Sequence, residues 1–272
     1  MAVQQSTDRR RLRGQKTRQA ILLHAARVGS AEGLEAISLQ RLAGDLGISK
    51  SGLFAHFGSK EELHLATIAT AAQIFTEEVI RPALAVPRGA GRVLALCNAW
   101  LSYVERGVFP GGCFFEAVAA EFDSRRPGPV RDSALEKKNY WSYSLERAVR
   151  EAQQAGDIDP EVDSDQLAWE LDSLLGGANS GFKGGDGVKA IERGRRAIHD
   201  RLSRASVGVA AHQHHGGGPQ KTAADQQDPH RPRDERELDQ GAEDAHRRGS
   251  RQQEGAWHQQ PGRVPRRLNS VA

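Results

Sequence analysis

Lys50, Ser51, Gly52, Ala55 and His56 stand in one short run, interleaved with apolar residues three to four positions apart. A lysine can reach a guanine edge or a phosphate, and a serine offers a short donor and acceptor. A glycine inside such a run costs a helix about 1 kcal/mol relative to alanine, and what it gains is close approach of backbone to a partner. These residue types suit hydrogen bonding to a nucleic acid in its major groove. Residues for making or breaking bonds are not assembled anywhere. Gly176-Gly-Ala-Asn-Ser-Gly-Phe-Lys183 has the composition of a phosphate loop, but Phe182 holds the lysine position and an apolar helical run precedes it. Gly-x-Ser-x-Gly, His-Glu-x-x-His and paired-cysteine motifs do not occur. Asp157, Asp159, Asp163 and Asp165 read as turn and helix-start chemistry. No catalytic residue, cofactor or metal is therefore expected.

The elements that must position the polar run can be read around it. Leu42, Ala43 and Leu46 on one helix, Ile48 in a turn, and Leu53 and Phe57 on a second helix give two crossed helices their apolar contacts. Gly47 falls where the first of them must end in a left-handed conformation. Ser38 and Ser49 stand where each needs an N-cap. Residues 17–32 carry Ala20, Ile21, Leu23, Ala25, Ala26 and Val28 at helical spacing, a first helix supporting the pair. Ser59-Lys-Glu-Glu62 is a capping box that opens a long helix, predicted to run to Arg81 and stop at Pro82.

This segment resembles the DNA-binding domain of the TetR family of bacterial transcriptional regulators. The likeness runs from about Thr17 to Leu63 and is most specific in Ser49-Lys-Ser-Gly-Leu-Phe-Ala-His-Phe57 and Ser59-Lys-Glu-Glu-Leu63. The family usually has tyrosine where this chain has Phe54, so one hydroxyl contact to a phosphate is missing. The resemblance implies contacts to double-stranded DNA from Lys50, Ser51, Gly52, Phe54 and His56, and from Lys60, a phosphate-binding lysine in the family. Ser38 and Gln40 are expected to touch the DNA backbone from the preceding helix. The bland alternatives stay open: solvated surface lysines at 50 and 60, and a His56 that caps its helix or packs beside Phe57.

Charge supports a nucleic-acid-binding head. Residues 1–60 hold ten Lys/Arg against four Asp/Glu, a balance of +6, whereas residues 61–205 balance at −4 and residues 206–272 at +1. A basic head on an acidic body is the footprint of a nucleic-acid-binding protein. No run of eighteen apolar residues occurs and the N-terminus lacks the apolar core of a signal peptide, so a cytoplasmic protein without a membrane span is expected. Cys97 and Cys113 have no second pair with which to close a zinc site and read as two buried thiols.

Four regions follow: a basic, disordered arm over 1–16, a helix-turn-helix domain over 17–63, a helical effector-binding and dimerisation domain over 64–206, and a disordered tail over 207–272. The fold class is all-α, because periodic segments over 88–106, 112–123, 129–155, 164–176 and 188–202 are helical and none alternates at period two. The tail is poor in apolar residues and rich in His, Gln, Arg and Gly, too little to offset chain entropy. Its abrupt change of composition also resembles an out-of-frame reading of GC-rich coding sequence. His212, His214 and His215 lie there without a cysteine or carboxylate framework.

By resemblance, the body takes up a small-molecule effector and pairs with its copy in a homodimer through residues 164–202. Trp100, Tyr103, Phe114, Phe115 and Tyr140 are the candidate pocket residues, with plain core as the alternative for each. Leu167, Leu171, Leu174 and Leu175, followed by small Gly176, Gly177 and Ala178, are the candidate dimer face, with burial inside one subunit as the alternative. The leading reading is a repressor released from a near-palindromic operator by an effector. A helical small-molecule-binding protein or enzyme with an incidental helix-turn-helix is the alternative from another class, and a protein-interaction module that has lost DNA binding is a third.

Overall fold

The computed structural model describes residues 2–122 and 127–207, with side chains from residue 11 onward. All of them belong to one compact unit. The tail expected over 207–272 lies, apart from Val207, outside the described residues.

Three helices build the head: α1 (Ala2–Glu32), α2 (Leu39–Leu46) and α3 (Lys50–Phe54). The arm expected to be disordered over 1–16 is instead continuous with α1. Its Gln, Arg and Lys residues are good helix formers and no proline interrupts them, so a helix nucleated on the buried Ile21, Leu22, Ala25 and Ala26 propagates backward past Gly14. Helix α3 is shorter than expected, because Ala55 and His56 close a turn through hydrogen bonds to the Ser51 and Leu53 carbonyls.

Helix α4 (Lys60–Phe75) leaves the head for the body and does not stop at Pro82. A π-helical turn over Thr76–Ile80 carries it into α5 (Arg81–Leu84), with the proline in the first turn of that last piece. A proline there needs no donor of its own, and the wider turn before it accommodates the ring. Phe75, at the end of α4, is the hinge of the core: its ring meets Tyr103, Phe115 and Trp141 edge-on, with centroids 5.7, 5.9 and 5.4 Å away.

The body consists of α6 (Ala90–Glu105), α7 (Phe114–Phe122), α8 (Pro129–Gln154), α9 (Ser164–Gly181) and α10 (Val188–Ala205). Helix α9 passes through Gly176 and Gly177, where the periodicity predicts its end, and breaks only within the following turn over Phe182–Asp186, at Gly185 with φ of +108°, and just after it at Gly187 with φ of +54°. Leu167, Leu171 and Leu175 continue one apolar stripe into the core, and that burial outweighs the two glycines. The all-α reading holds: among the described residues the only β pairing is an isolated bridge between Ile158 and Ser206, which fastens the end of α10. No helix there is long and apolar enough to cross a membrane.

Candidate nucleic-acid interface

Each short helix of the head starts on a serine in extended conformation. The Ser38 hydroxyl accepts the Arg41 N–H at 3.1 Å, Ser49 accepts that of Gly52 at 3.1 Å, and Ser59 accepts that of Glu62 at 3.0 Å. Such caps contribute roughly 1 kcal/mol each. Glu62 also receives the Gly58 N–H at 3.0 Å, one residue earlier than a capping box predicts. At the turn, Gly47 has φ +63° and ψ +30°, and the Ile48 N–H returns to the Ala43 carbonyl. A residue with a Cβ would be strained there. Leu42, Leu53 and Phe57 are fully buried beneath this turn, as their spacing predicts.

Burial of Leu53 and Phe57 turns the rest of α3 outward. Lys50, Ser51 and Gly52 are exposed, and Phe54 is 45% exposed, unusual for so large a ring. His56 is half-buried with its ring tilted 6.4 Å from that of Phe57, which brings the packing alternative into view. Gly52 has a local reason as well as a distal one: a Cβ there would sit 3.0 Å from the Ser49 hydroxyl that caps α3. Gln40 is exposed at the start of α2, while Ser38 is half-buried and engaged in its cap. Lys60 is exposed at the start of α4, but its ammonium already holds Glu35, 2.8 Å from Oε2 and 3.3 Å from the carbonyl oxygen.

Several positioning residues escape sequence reading because their partners are distant in the chain. Arg18 of α1 lies over the Phe57 ring at 4.9 Å. Arg41 makes a two-pronged bond to Glu32, 2.6 Å on each side, and His24 reaches Asp45 at 2.9 Å, so α1 and α2 are tied by charge as well as by core. The Arg41 hydrogen bonds hold the Glu32 carboxyl below its ordinary range, and His24 does the same for Asp45. Under the head, Glu121 at the end of α7 grips the backbone after α1, accepting the Leu34 N–H at 2.6 Å and the Glu35 N–H at 3.0 Å. His64 is buried, 3.4 Å from the Ile37 carbonyl, and burial lowers its pKa.

The five residues expected to line a pocket do not stay together. Trp100, Tyr103, Phe114 and Phe115 are buried in one aromatic core, whereas Tyr140 is 40% exposed on α8. A tyrosine one helical position from the buried Trp141 is turned away from the face that Trp141 occupies. Tyr103 carries the most pointed feature of that core: its hydroxyl is fully buried and has no hydrogen-bond partner among the described residues, and burial pushes its pKa well up. Beside the aromatic core lies a charged cluster that no sequence motif announced. Lys138 of α8 pairs with Glu116 of α7 and stands 3.7 Å from Asp172 of α9, whose other oxygen accepts the Trp141 N–H at 2.8 Å. Burial acts to lower the Lys138 pKa, but the two carboxylates outweigh it and hold the ammonium above its usual range. Elsewhere a surface groove of about 280 Å³ runs between Leu94 and Asn98 of α6 and Arg195, Arg196, His199 and Asp200 of α10. None of the five aromatic residues lines it.

The dimer face read from the sequence is also partly corrected. Leu167, Leu171 and Leu175 are fully buried within the subunit and Leu174 is half-buried, because this stripe faces the core. The outer stripe of α9 is Gln166, Trp169, Ser173, Gly177 and Ser180, with Trp169 63% exposed.

Two family descriptions match this arrangement. Residues 21–67 fit "Bacterial regulatory proteins, tetR family", and residues 89–198 fit "Tetracyclin repressor-like, C-terminal domain". A TetR transcriptional regulator from Chloroflexus aurantiacus is 25% identical, with a TM-score of 0.66 over 71% of this chain and 98% of that one. A transcriptional regulator from Saccharomonospora viridis, solved with choline, is similar in fold at 21% identity and a TM-score of 0.60, over 71% and 98% of the two chains. AibR, solved with isovaleryl coenzyme A and operator DNA, is similar in fold at 24% identity and 0.56, over 67% and 96%. No curated protein sequence matches the chain.

Proposed function

The chain belongs to the TetR family of transcriptional regulators, with a DNA-binding helix-turn-helix head, and on that premise we propose that it acts as a homodimeric repressor released from a near-palindromic operator by a small molecule. The observation that carries the reading is the outward face of α3. Leu53 is spent on the core, and Lys50, Ser51, Gly52 and the ring of Phe54 are left facing solvent. A five-residue helix capped by serine and backed by α1 and α2 is a rigid platform for reading a major groove. Lys50 and Ser51 read bases; Lys60, Ser38 and Gln40 meet phosphates; His56 adds a contact at the end of the turn.

Lys60 must leave Glu35 to take a phosphate, and both side chains are nearly half-exposed, so the exchange costs little. The dimer forms through the outer stripe of α9, where Trp169 is a large apolar ring without cover and Gly177 and Ser180 allow a second helix to come close. The effector enters the body near the aromatic core, with the unsatisfied Tyr103 hydroxyl as its hydrogen-bonding point. Solved relatives that hold small molecules, one of them with operator DNA, support this division of labour. The reading is of a binding protein in the cytoplasm, without catalysis.

The test is selection of genomic fragments by the purified protein, followed by footprinting. A protected near-palindrome with half-sites about one helical turn, or a small multiple, apart is expected. Protection of a single half-site by a monomer would refute the dimeric reading. Ligand binding without any selected duplex would favour the small-molecule carrier instead.

A further inference from the structure

We propose that Glu121 is a positioning residue for DNA binding: from the end of α7 it fixes the peptide that leads into α2, and thereby the orientation of the reading helix. The proposal rests on the reading of the head as DNA-binding. Its geometry is specific. Oε2 accepts the Leu34 N–H at 2.6 Å and Oε1 accepts the Glu35 N–H at 3.0 Å, so both oxygens of one carboxylate are used on consecutive peptides 86 and 87 residues away in the chain. A carboxylate receiving backbone N–H groups forms charge-assisted bonds, stronger than neutral ones.

The backbone is shaped to receive it. Gly33 ends α1 at φ +89°, which brings the two following N–H groups toward α7, and a Cβ on Gly33 would lie 2.7 Å from Oε2. Only glycine meets both demands. Leu34, whose own N–H is gripped, and Ile37 just beyond are fully buried, and Ser38 then caps α2. The side chain of the gripped Glu35 in turn holds Lys60 at the start of α4. The other end of α7 is fastened to the body: the Cys113 N–H donates to Asn179 of α9 at 3.1 Å, and Glu116 pairs with Lys138 of α8. Helix α7 is thus a strut between body and head, and Glu121 is its grip.

The test combines amide hydrogen exchange with operator binding on the duplex recovered by selection. Glu121→Gln removes the charge and turns an NH₂ toward one of the two N–H groups. Exchange at Leu34 and Glu35 should accelerate while that of α8 and α9 stays unchanged, and operator affinity should fall roughly tenfold, the equivalent of one charged hydrogen bond. The salt dependence of binding should not change, because no phosphate contact is removed. Gly33→Ala leaves the carboxylate but intrudes on it, and should reproduce the loss; it also stands in if Glu121→Gln fails to fold. Glu136→Gln removes the same charge from the exposed face of α8, away from the gripped peptides, and should leave both protection and affinity unchanged. If the wild-type protein selects an operator and Glu121→Gln binds it as tightly, or binds it weakly with exchange at Leu34 and Glu35 unaltered, the proposal is overturned and the DNA-binding reading survives. An equal loss in Glu136→Gln also overturns it. If the wild-type protein selects no duplex, the functional reading fails first and the proposal falls with it.

Discussion

Replacing Gly111 by alanine should loosen the body from the head. Gly111 lies in the turn between α6 and α7, against the end of α1, and donates its N–H to the Ser30 hydroxyl at 3.3 Å. A Cβ there would stand 1.8 Å from the Ser30 carbonyl oxygen, 2.2 Å from its carbon and 2.6 Å from the Ala31 nitrogen. All three are backbone atoms, so no rotamer change relieves the clash. The nearest approach is roughly 1.5 Å short of ordinary contact, and α1 or the turn must retreat by that distance. Overpacking usually costs about 1–3 kcal/mol; a clash with helix backbone belongs at the upper end, about 3 kcal/mol. At roughly 2–4 °C per kcal/mol for a domain of this size, the midpoint should fall by about 6–12 °C. Urea unfolding with an unchanged slope measures the free energy, and thermal melting measures the shift. Gly91→Ala is the control: its Cβ would meet only Val86 at an ordinary 3.7 Å inside helix α6, so stability should hold or rise by up to about 1 kcal/mol. Operator affinity should fall for Gly111→Ala and not for Gly91→Ala. A Gly111→Ala protein within about 0.5 kcal/mol of wild type, with the control unaffected, would refute the close packing of turn against α1.

Lys60→Ala should weaken operator binding for all sequences and lower the salt slope by about one, whereas Lys50→Ala or Ser51→Ala should alter base preference by about 1–3 kcal/mol; repeated fragment selection distinguishes the two, and the opposite pattern would remove α3 from its reading role. His64 is a pH probe: burial lowers its pKa, so the unfolded chain binds the proton more readily, and stability present above the ordinary histidine range is lost as pH falls through it toward the depressed folded value. Urea midpoints measured from pH 7.5 down to 5.5 should decline, and His64→Gln should flatten that decline; an unchanged slope would show that His64 is not the group responsible. Burial pushes both the Cys97 and Cys113 thiols up to about 12, so neither should react with a thiol reagent at pH 8 until the protein is unfolded, when both should. Rapid reaction of a native thiol would contradict its burial.

What the sequence determined by itself is the local grammar of the head and the helical character of the body. Ser38, Ser49 and Ser59 each cap the N–H three residues ahead, and Gly47 needs only its own backbone angle, so these features follow from a few neighbouring residues. The same holds for the outward placement of Lys50, Ser51 and Gly52, once Leu53 and Phe57 are assigned to the core at helical spacing. Tertiary structure decided everything that depends on a distant partner. Lys60 reads in the sequence as a phosphate-binding lysine, with a solvated one as the alternative, and only folding places Glu35 beside it, 25 residues earlier in the chain. Tyr140 and Trp141 are equivalent as neighbouring aromatics, yet only Trp141 reaches Asp172 on another helix. The leucines of α9 carry a strong apolar stripe, and only packing against the body showed that the stripe faces inward and leaves Trp169 outside. Periodicity names the apolar face of a helix but not the element that covers it, and a carboxylate such as Glu121 reveals its partner only when peptides more than 80 residues away are folded against it.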